Sequence, residues 1–221
     1  MTLPTGRPRA AKDADYEGVV VVGNGPSLLE AELGDSIDRF STVVRFNEYR
    51  TEPPLDKHVG TKTDVWFACG NYQNTKEHAE SREITWRHPS LVREIIFVGF
   101  GDVEGYKTYQ ALKETCDECG TPIRPICQDL VTRCREGMPL SKPFKDTNRM
   151  TAVPSSGALA LAHFVESQTG PIFICGFDFL KLDRHHYWAK YKNNPVGWHS
   201  PEAEESFISN LVHAGSVSVL I

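Results

Sequence analysis

Apolar residues fall in short runs, divided by polar stretches that carry glycine and proline. The densest run is Val19-Val20-Val21-Val22. Four consecutive valines cannot alternate between core and solvent, so they predict a strand buried on both faces. Gly23-Asn24-Gly25 follows and permits a tight turn with close backbone approach. Pro26 suits the first position of a helix, where its missing N–H costs nothing. A buried strand, a glycine turn and a helix start together predict an anion-binding turn.

The pattern then repeats. Gly34 to Phe40 is a short polar connection, and Ser41 to Phe46 a second strand. Thr51 to His58 is a proline-containing loop. Asp64 to Ala68 and Glu94 to Phe100 are further strands, separated by a polar stretch over 73–90 with weak helical periodicity. Asp102 to Glu118 places Val103, Tyr106, Tyr109 and Leu112 near helical spacing. Pro122 to Ile126 makes a short strand at best. Gln128 to Glu136 is helical, and Gly137 to Thr151 a loop. Ala158 to Val165 is a strong helix former, capped by Ser155 or Ser156. Pro171 to Phe177 is a buried strand ending at Gly176. Ser200-Pro201-Glu202 opens a last helix through about His213, and Ser216 to Ile221 is a final strand. Strands alternating with helices predict an α/β fold with a single doubly wound, mainly parallel sheet flanked by helices, Rossmann-like in kind. Residues 1–17 read as a flexible tail and 18–221 as one catalytic domain. Ligands of such sheets sit beyond the carboxyl ends of the strands.

Charge narrows the function. Lys and Arg number 24 against 29 Asp and Glu, a net −5, which argues against nucleic acid as a partner. No apolar run approaches the roughly 20 residues of a membrane span, and Met1 to Glu17 lacks the apolar core of a secretory signal. The six cysteines include Cys116-Asp-Glu-Cys119, with Cys127 and Cys134 close behind. These spacings match no usual zinc pattern, so free thiols are preferred to a metal site.

The first turn belongs to neither common nucleotide motif. A dinucleotide fingerprint needs glycine where Leu28 stands, and an acidic residue where the second strand ends in Asn47. The Gly-Lys-Ser/Thr of a P-loop is absent. An oxidoreductase is thereby weakened.

Four segments carry a family resemblance. Val19 to Asn47, with Val59-Gly60-Thr61-Lys62-Thr63 closing it, resembles the large sialylmotif of the sialyltransferases of glycosyltransferase family 29. Pro154-Ser155-Ser156-Gly157 through Cys175-Gly176-Phe177 is similar to the small sialylmotif. His186-Tyr187-Trp188 resembles the third motif. His199 and Glu204, separated by four residues, match the short final motif. The segment GNGPSL also resembles the bacterial sialyltransferases of family 42.

The resemblance implies a CMP-sugar donor, a glycan acceptor, inversion and no metal or other cofactor. It places Asn24, Gly25, Asn47, Asn71, Ser155, Ser156, Gly157, Gly176 and Phe177 on the donor side. It makes His199 the general base and puts His186 and Tyr187 at the leaving phosphate. Animal members join two motifs by a disulfide, and this chain has no cysteine at the matching places. That departure implies a reducing compartment and a cytoplasmic protein, the alternative being the soluble catalytic domain of a Golgi-type enzyme. The transferred sugar is sialic acid or a related acid such as Kdo. A catalytically inactive nucleotide-binding module on the same fold is the alternative activity.

The residues agree with such chemistry. Without a metal, the leaving phosphate must meet N–H donors, hydroxyls or a cation. His199 stands just before a helix start, whose dipole disfavours imidazolium and keeps the ring ready to accept a proton. Glu204 orients that ring or supports its loop. Trp188 and Trp198 either stack on a ligand ring or cover the core.

Overall fold

The computed structural model describes residues 15–70, 91–99, 103–140, 150–167, 170–179, 186–188 and 199–221. Seven strands form one sheet: β1 (Tyr16–Val22), β2 (Phe40–Phe46), β3 (Val65–Cys69), β4 (Glu94–Val98), β5 (Ile123–Pro125), β6 (Ile172–Cys175) and β7 (Ser218–Val219). Their order is β5-β4-β3-β2-β1-β6-β7, and every pairing is parallel. The doubly wound α/β expectation holds, and among the described residues the sheet is wholly rather than mainly parallel.

The valine run explains the layering. Val19 and Val21 face one core cluster, and Val20 and Val22 face another. On the first face lie α4 (Gln128–Glu136), α5 (Ser156–Ser167) and α6 (Pro201–His213), through Leu130, Leu161 and Ile208 among others. Behind β1 and β2, the opposite face is closed by a 3-10 turn (Pro26–Glu30), α1 (Gly34–Asp38) and α2 (Asp56–Val59), through Leu28, Ile37 and Val59. Behind β3 and β4 lies α3 (Val103–Cys119), through Tyr109 and Leu112. Each fully buried valine contributes about 1.5–3 kcal/mol of burial free energy, so the run is both the sheet's centre and a large part of its cohesion.

Several boundaries move. β1 begins at Tyr16, inside the predicted tail, because Tyr16 pairs with Phe40 and its ring lies under the Arg39 guanidinium at 4.9 Å. Two of the expected connections contain one-turn helices, α1 and α2. Gly34 is where they touch: a side chain there would meet the Asp56 carbonyl. β4 ends at Val98 and β7 spans two residues, both shorter than the apolar runs suggest. No helix among the described residues is long and apolar enough to cross a membrane.

The strand order reverses at β1. Successive strands β2 to β5 build outward on one side, and β6 and β7 lie on the other. A sheet of this kind opens a crevice at the reversal, beyond the carboxyl ends of β1 and β6. Those ends are Gly23-Asn24-Gly25 and Gly176-Phe177-Asp178.

Candidate functional site

The crevice is assembled by hydrogen bonds that run between strand ends. Asn24, only 8% exposed, donates from Nδ2 to the Glu48 carbonyl at 3.0 Å and the Phe46 carbonyl at 3.4 Å. Its own carbonyl accepts from the Tyr187 N–H at 2.9 Å. Asn24 therefore ties β1 to the segment after β2 and to the third motif. Its amide nitrogen is spent on the chain itself.

Asn47 behaves differently. It adopts φ +52°, in the left-handed region that asparagine tolerates better than most residues. Its N–H donates to Phe67 O and its carbonyl accepts from Trp66 Nε1, both at 2.9 Å, so the backbone is held on both sides. Its Oδ1 is buried with no hydrogen-bond partner. A buried amide oxygen left unpaired costs about 1–3 kcal/mol, which a ligand donor would recover.

The glycines fit the chain's own packing. A side chain on Gly25 would strike the Asp178 carboxylate and the Gly176 carbonyl, and one on Gly176 would strike Leu28. Gly157 abuts the Phe46 and Phe177 rings, which themselves pack at 6.0 Å. Those contacts seat the start of α5 against the carboxyl ends of β2 and β6. The turn after β1 differs from the expected anion site in two respects. Its helix is a single five-residue 3-10 turn, and the Ser27 N–H is already taken by Asp178 Oδ2 at 2.8 Å.

The start of α5 holds the second cluster. Ser155 caps the helix, accepting from the Ala158 N–H at 3.2 Å. Its own N–H and Oγ–H donate to the two oxygens of Glu204, at 2.7 and 2.9 Å. The Glu204 side chain is 13% exposed. Burial pushes its carboxyl above the usual range, while His199 and the two Ser155 bonds pull the other way. Ser156 and Gly157 lie buried at the first positions of the helix, where N–H groups have no intrahelical acceptor.

His199 completes this cluster. Its Nδ1 stands 2.7 Å from the Val153 carbonyl and 4.0 Å from Glu204 Oε1. A carbonyl can only accept, so Nδ1 carries a hydrogen, and in the neutral ring the lone pair then lies on Nε2. The ring is 40% exposed and sits one residue before Ser200, which caps α6 by accepting from the Ala203 N–H at 3.3 Å. The expectation that Glu204 supports the loop takes a definite form here: it fastens the start of α6 to the start of α5.

The third motif divides in two. The His186 ring stacks on Trp188 at 4.7 Å and 12°. Trp188 packs against two core clusters, so it covers the core. Tyr187 is buried, donates its hydroxyl hydrogen to Arg50 O at 2.6 Å and accepts from Arg50 N at 2.9 Å. The tyrosine expected at the leaving phosphate is in this arrangement a strut beneath the loop that follows Asn47. Asn71 and Trp198 lie outside the described residues. All six cysteines are free, and burial pushes the thiols of Cys116 and Cys134 up to about 12, which keeps them protonated. Among the described residues no group of three or more His, Cys, Asp or Glu is placed to hold a metal.

Sequence reasoning missed Asp178, Val153 and Arg50. Asp178 had a signal, a carboxylate two residues beyond a strand-ending glycine. The other two act through backbone atoms, which carry no side-chain signature.

Comparison with known proteins gives the following. The model of glycosyltransferase family 29 (sialyltransferase) matches residues 3–119, just over half the chain. A 74-residue segment is 36% identical to the beta-1,6-galactosyltransferase GALT29A of Arabidopsis thaliana. That segment is 34% of this chain, and the alignment spans only 18% of the plant protein. A mammalian sialyltransferase structure superposes with a TM-score of 0.60 at 20% identity, covering 93% of this chain and 69% of that one. The sialyltransferase CstII of Campylobacter jejuni, solved with cytidine-5′-monophosphate, superposes at 0.53 with 16% identity, covering 94% and 81%. These structural likenesses speak for the fold.

Proposed function

The chain belongs to glycosyltransferase family 29 (sialyltransferase), and from that premise we propose that it moves an acidic sugar from a CMP-sugar to a glycan hydroxyl. The observation that carries the proposal is the hydrogen bond from His199 Nδ1 to the Val153 carbonyl. With Nδ1–H held there, the neutral ring presents Nε2 as its lone-pair nitrogen, on a partly exposed ring beside a helix start able to receive an anion. The acceptor hydroxyl attacks the anomeric carbon and gives its proton to Nε2. The bond from that carbon to the phosphate oxygen breaks, and CMP leaves with the electron pair. Attack opposite the leaving group inverts the centre.

The other residues divide the work. Asn47 Oδ1 accepts a hydrogen bond from the donor nucleotide. The N–H groups of Ser156 and Gly157 meet the phosphate, with His186 as a further hydrogen-bond donor to it. Gly176 and Phe177 wall the nucleotide side. Asn24, Gly25 and Tyr187 act indirectly, by fixing strand ends and the Asn47 loop. No metal takes part in this scheme. A galactosyl donor is the second reading, favoured by the identity to the plant galactosyltransferase.

The test is turnover of CMP-sialic acid with a panel of glycan acceptors, read by mass spectrometry in chelator. His199→Ala should lower turnover by at least about 10²-fold, the low end for losing a general base. Its CMP affinity should stay near wild type, because Nε2 faces the acceptor. A variant that keeps most of its turnover would remove His199 from the role of base.

A further inference from the structure

We infer that Trp188 is a positioning residue for His186, its indole being the fixed wall that sets the plane of the imidazole. The inference rests on the reading above, in which His186 meets the leaving phosphate, and names what holds that ring in place. The two rings lie 4.7 Å apart at an interplanar angle of 12°, close to parallel. The wall is anchored from behind. Trp188 packs against both cores on that side of the sheet, the one behind β1 and β2 and the one behind β3 and β4. The Tyr187 ring meets it edge-on, at 4.6 Å and 85°. Tyr187 is itself 3% exposed and tied at three points. Its N–H donates to Asn24 O at 2.9 Å, and its hydroxyl exchanges hydrogen bonds with the Arg50 carbonyl and N–H at 2.6 and 2.9 Å. The first of those bonds sets His186, the preceding residue, beside the carboxyl end of β1.

The three residues of the motif thus differ in kind. Tyr187 is buried and fastened by hydrogen bonds, Trp188 is set into the core, and His186 is half-buried and laid on Trp188. Covering the core explains an apolar residue at position 188, and leucine would serve there. It does not explain a flat face lying parallel to a histidine ring. An imidazole has two side-chain torsions to settle, and its hydrogen bonds lie in the plane of the ring. The indole covers one face of that ring and confines the ring to one plane, so its nitrogens are offered along fixed directions. A donor to a leaving phosphate acts best when it is already aimed before the charge develops.

A double-mutant cycle on the whole chain tests this, with kcat and KM for CMP-sialic acid and calorimetric CMP affinity as readouts. Trp188→Leu should lower donor kcat/KM by about 10-fold or more, since misplacing a group by about 1 Å can cost about 10²-fold. In the His186→Ala background the same change should cost less than about 2-fold, because the ring it positions is gone. Trp188→Phe keeps a flat face and should recover most of the loss, and it replaces the leucine variant should that one fail to fold. Proton NMR gives a readout that needs no turnover. The indole ring current should shift the His186 ring protons upfield in the wild type, their signals being assigned by their absence in His186→Ala. That shift should vanish in Trp188→Leu and persist in Trp188→Phe. Equal losses in both backgrounds, a phenylalanine no better than leucine, or no upfield shift in the wild type overturns the inference and leaves the donor reading standing. If His186→Ala leaves donor kcat/KM and CMP affinity unchanged, or if the wild type neither binds CMP nor turns over CMP-sialic acid, both are overturned.

Discussion

Asn47 shows how much one residue can say. Its strained backbone is fastened by Phe67 and Trp66, so the side chain is delivered to a fixed place. An unpaired buried oxygen at a fixed place is what the proposed donor contact would satisfy. Asn47→Ala removes the oxygen and keeps the neighbouring strand. CMP affinity should fall by about 1–3 kcal/mol, measured by calorimetry, because the donor's hydrogen-bonding group then loses its partner. Thermal stability should change little or rise, since the alanine leaves no buried polar atom unpaired. Unchanged CMP affinity would take Asn47 out of the site. Asn24, its neighbour in the crevice, should answer in the opposite way. Its amide bridges two strand ends, so Asn24→Ala should cost stability first.

At the scale of elements, the loop after β2 is held by the third motif. Tyr187 hydroxyl exchanges hydrogen bonds with both backbone groups of Arg50. Tyr187→Phe removes both of these hydrogen bonds, at a cost of about 1–3 kcal/mol in urea unfolding. Turnover should fall in step with the loosened Asn47 loop, chiefly through a raised KM for the donor. Lost turnover with unchanged stability would place the hydroxyl on the substrate instead. The contrast also marks what was legible in the chain. The valine run announced β1 because its alternation of faces is intrinsic to a strand, and four successive motifs singled out most of the residues of the candidate site. The short helices α1 and α2 were missed because one turn contains no period to read. The strut role of Tyr187 was missed because its partner lies 137 residues earlier and uses only backbone atoms. The Ser155–Glu204 pairing spans 49 residues, so motif order could bring both residues into view without saying that they bond.

For the whole molecule, two partly buried titrating groups on α5 and α6 make stability depend on pH in opposite senses. His163 on α5 packs its ring against Phe67 and lies 3.3 Å from an Arg124 nitrogen. Burial, and then the Arg124 charge, hold its pKa below the ordinary 6.5. The native state thus keeps His163 neutral where the unfolded chain would already be charged. Its contribution is present above pH 6.5 and is lost as pH falls through the lowered value. Glu204 on α6 is the reverse case. Burial holds its carboxyl above the ordinary 4.5, against the pull of His199 and Ser155, so the native state keeps its proton longer. That contribution is complete below 4.5 and is lost as pH rises through the raised value. Cys134 on α4 faces the same carboxylate, but its thiol is held up near 12 and stays neutral across this range. The melting temperature of Glu204→Gln, measured against wild type from pH 4 to 8, should therefore gain on wild type as pH rises from 4.5. The difference can steepen by no more than about 1.4 kcal/mol per pH unit, the limit for one proton. His163→Gln should gain on wild type in the other direction, as pH falls below 6.5. Both differences remaining flat with pH would show that neither group changes its proton binding on folding. A Glu204→Gln difference that shrinks as pH rises would mean that Ser155 and His199 outweigh burial and hold the carboxylate ionised in the native site.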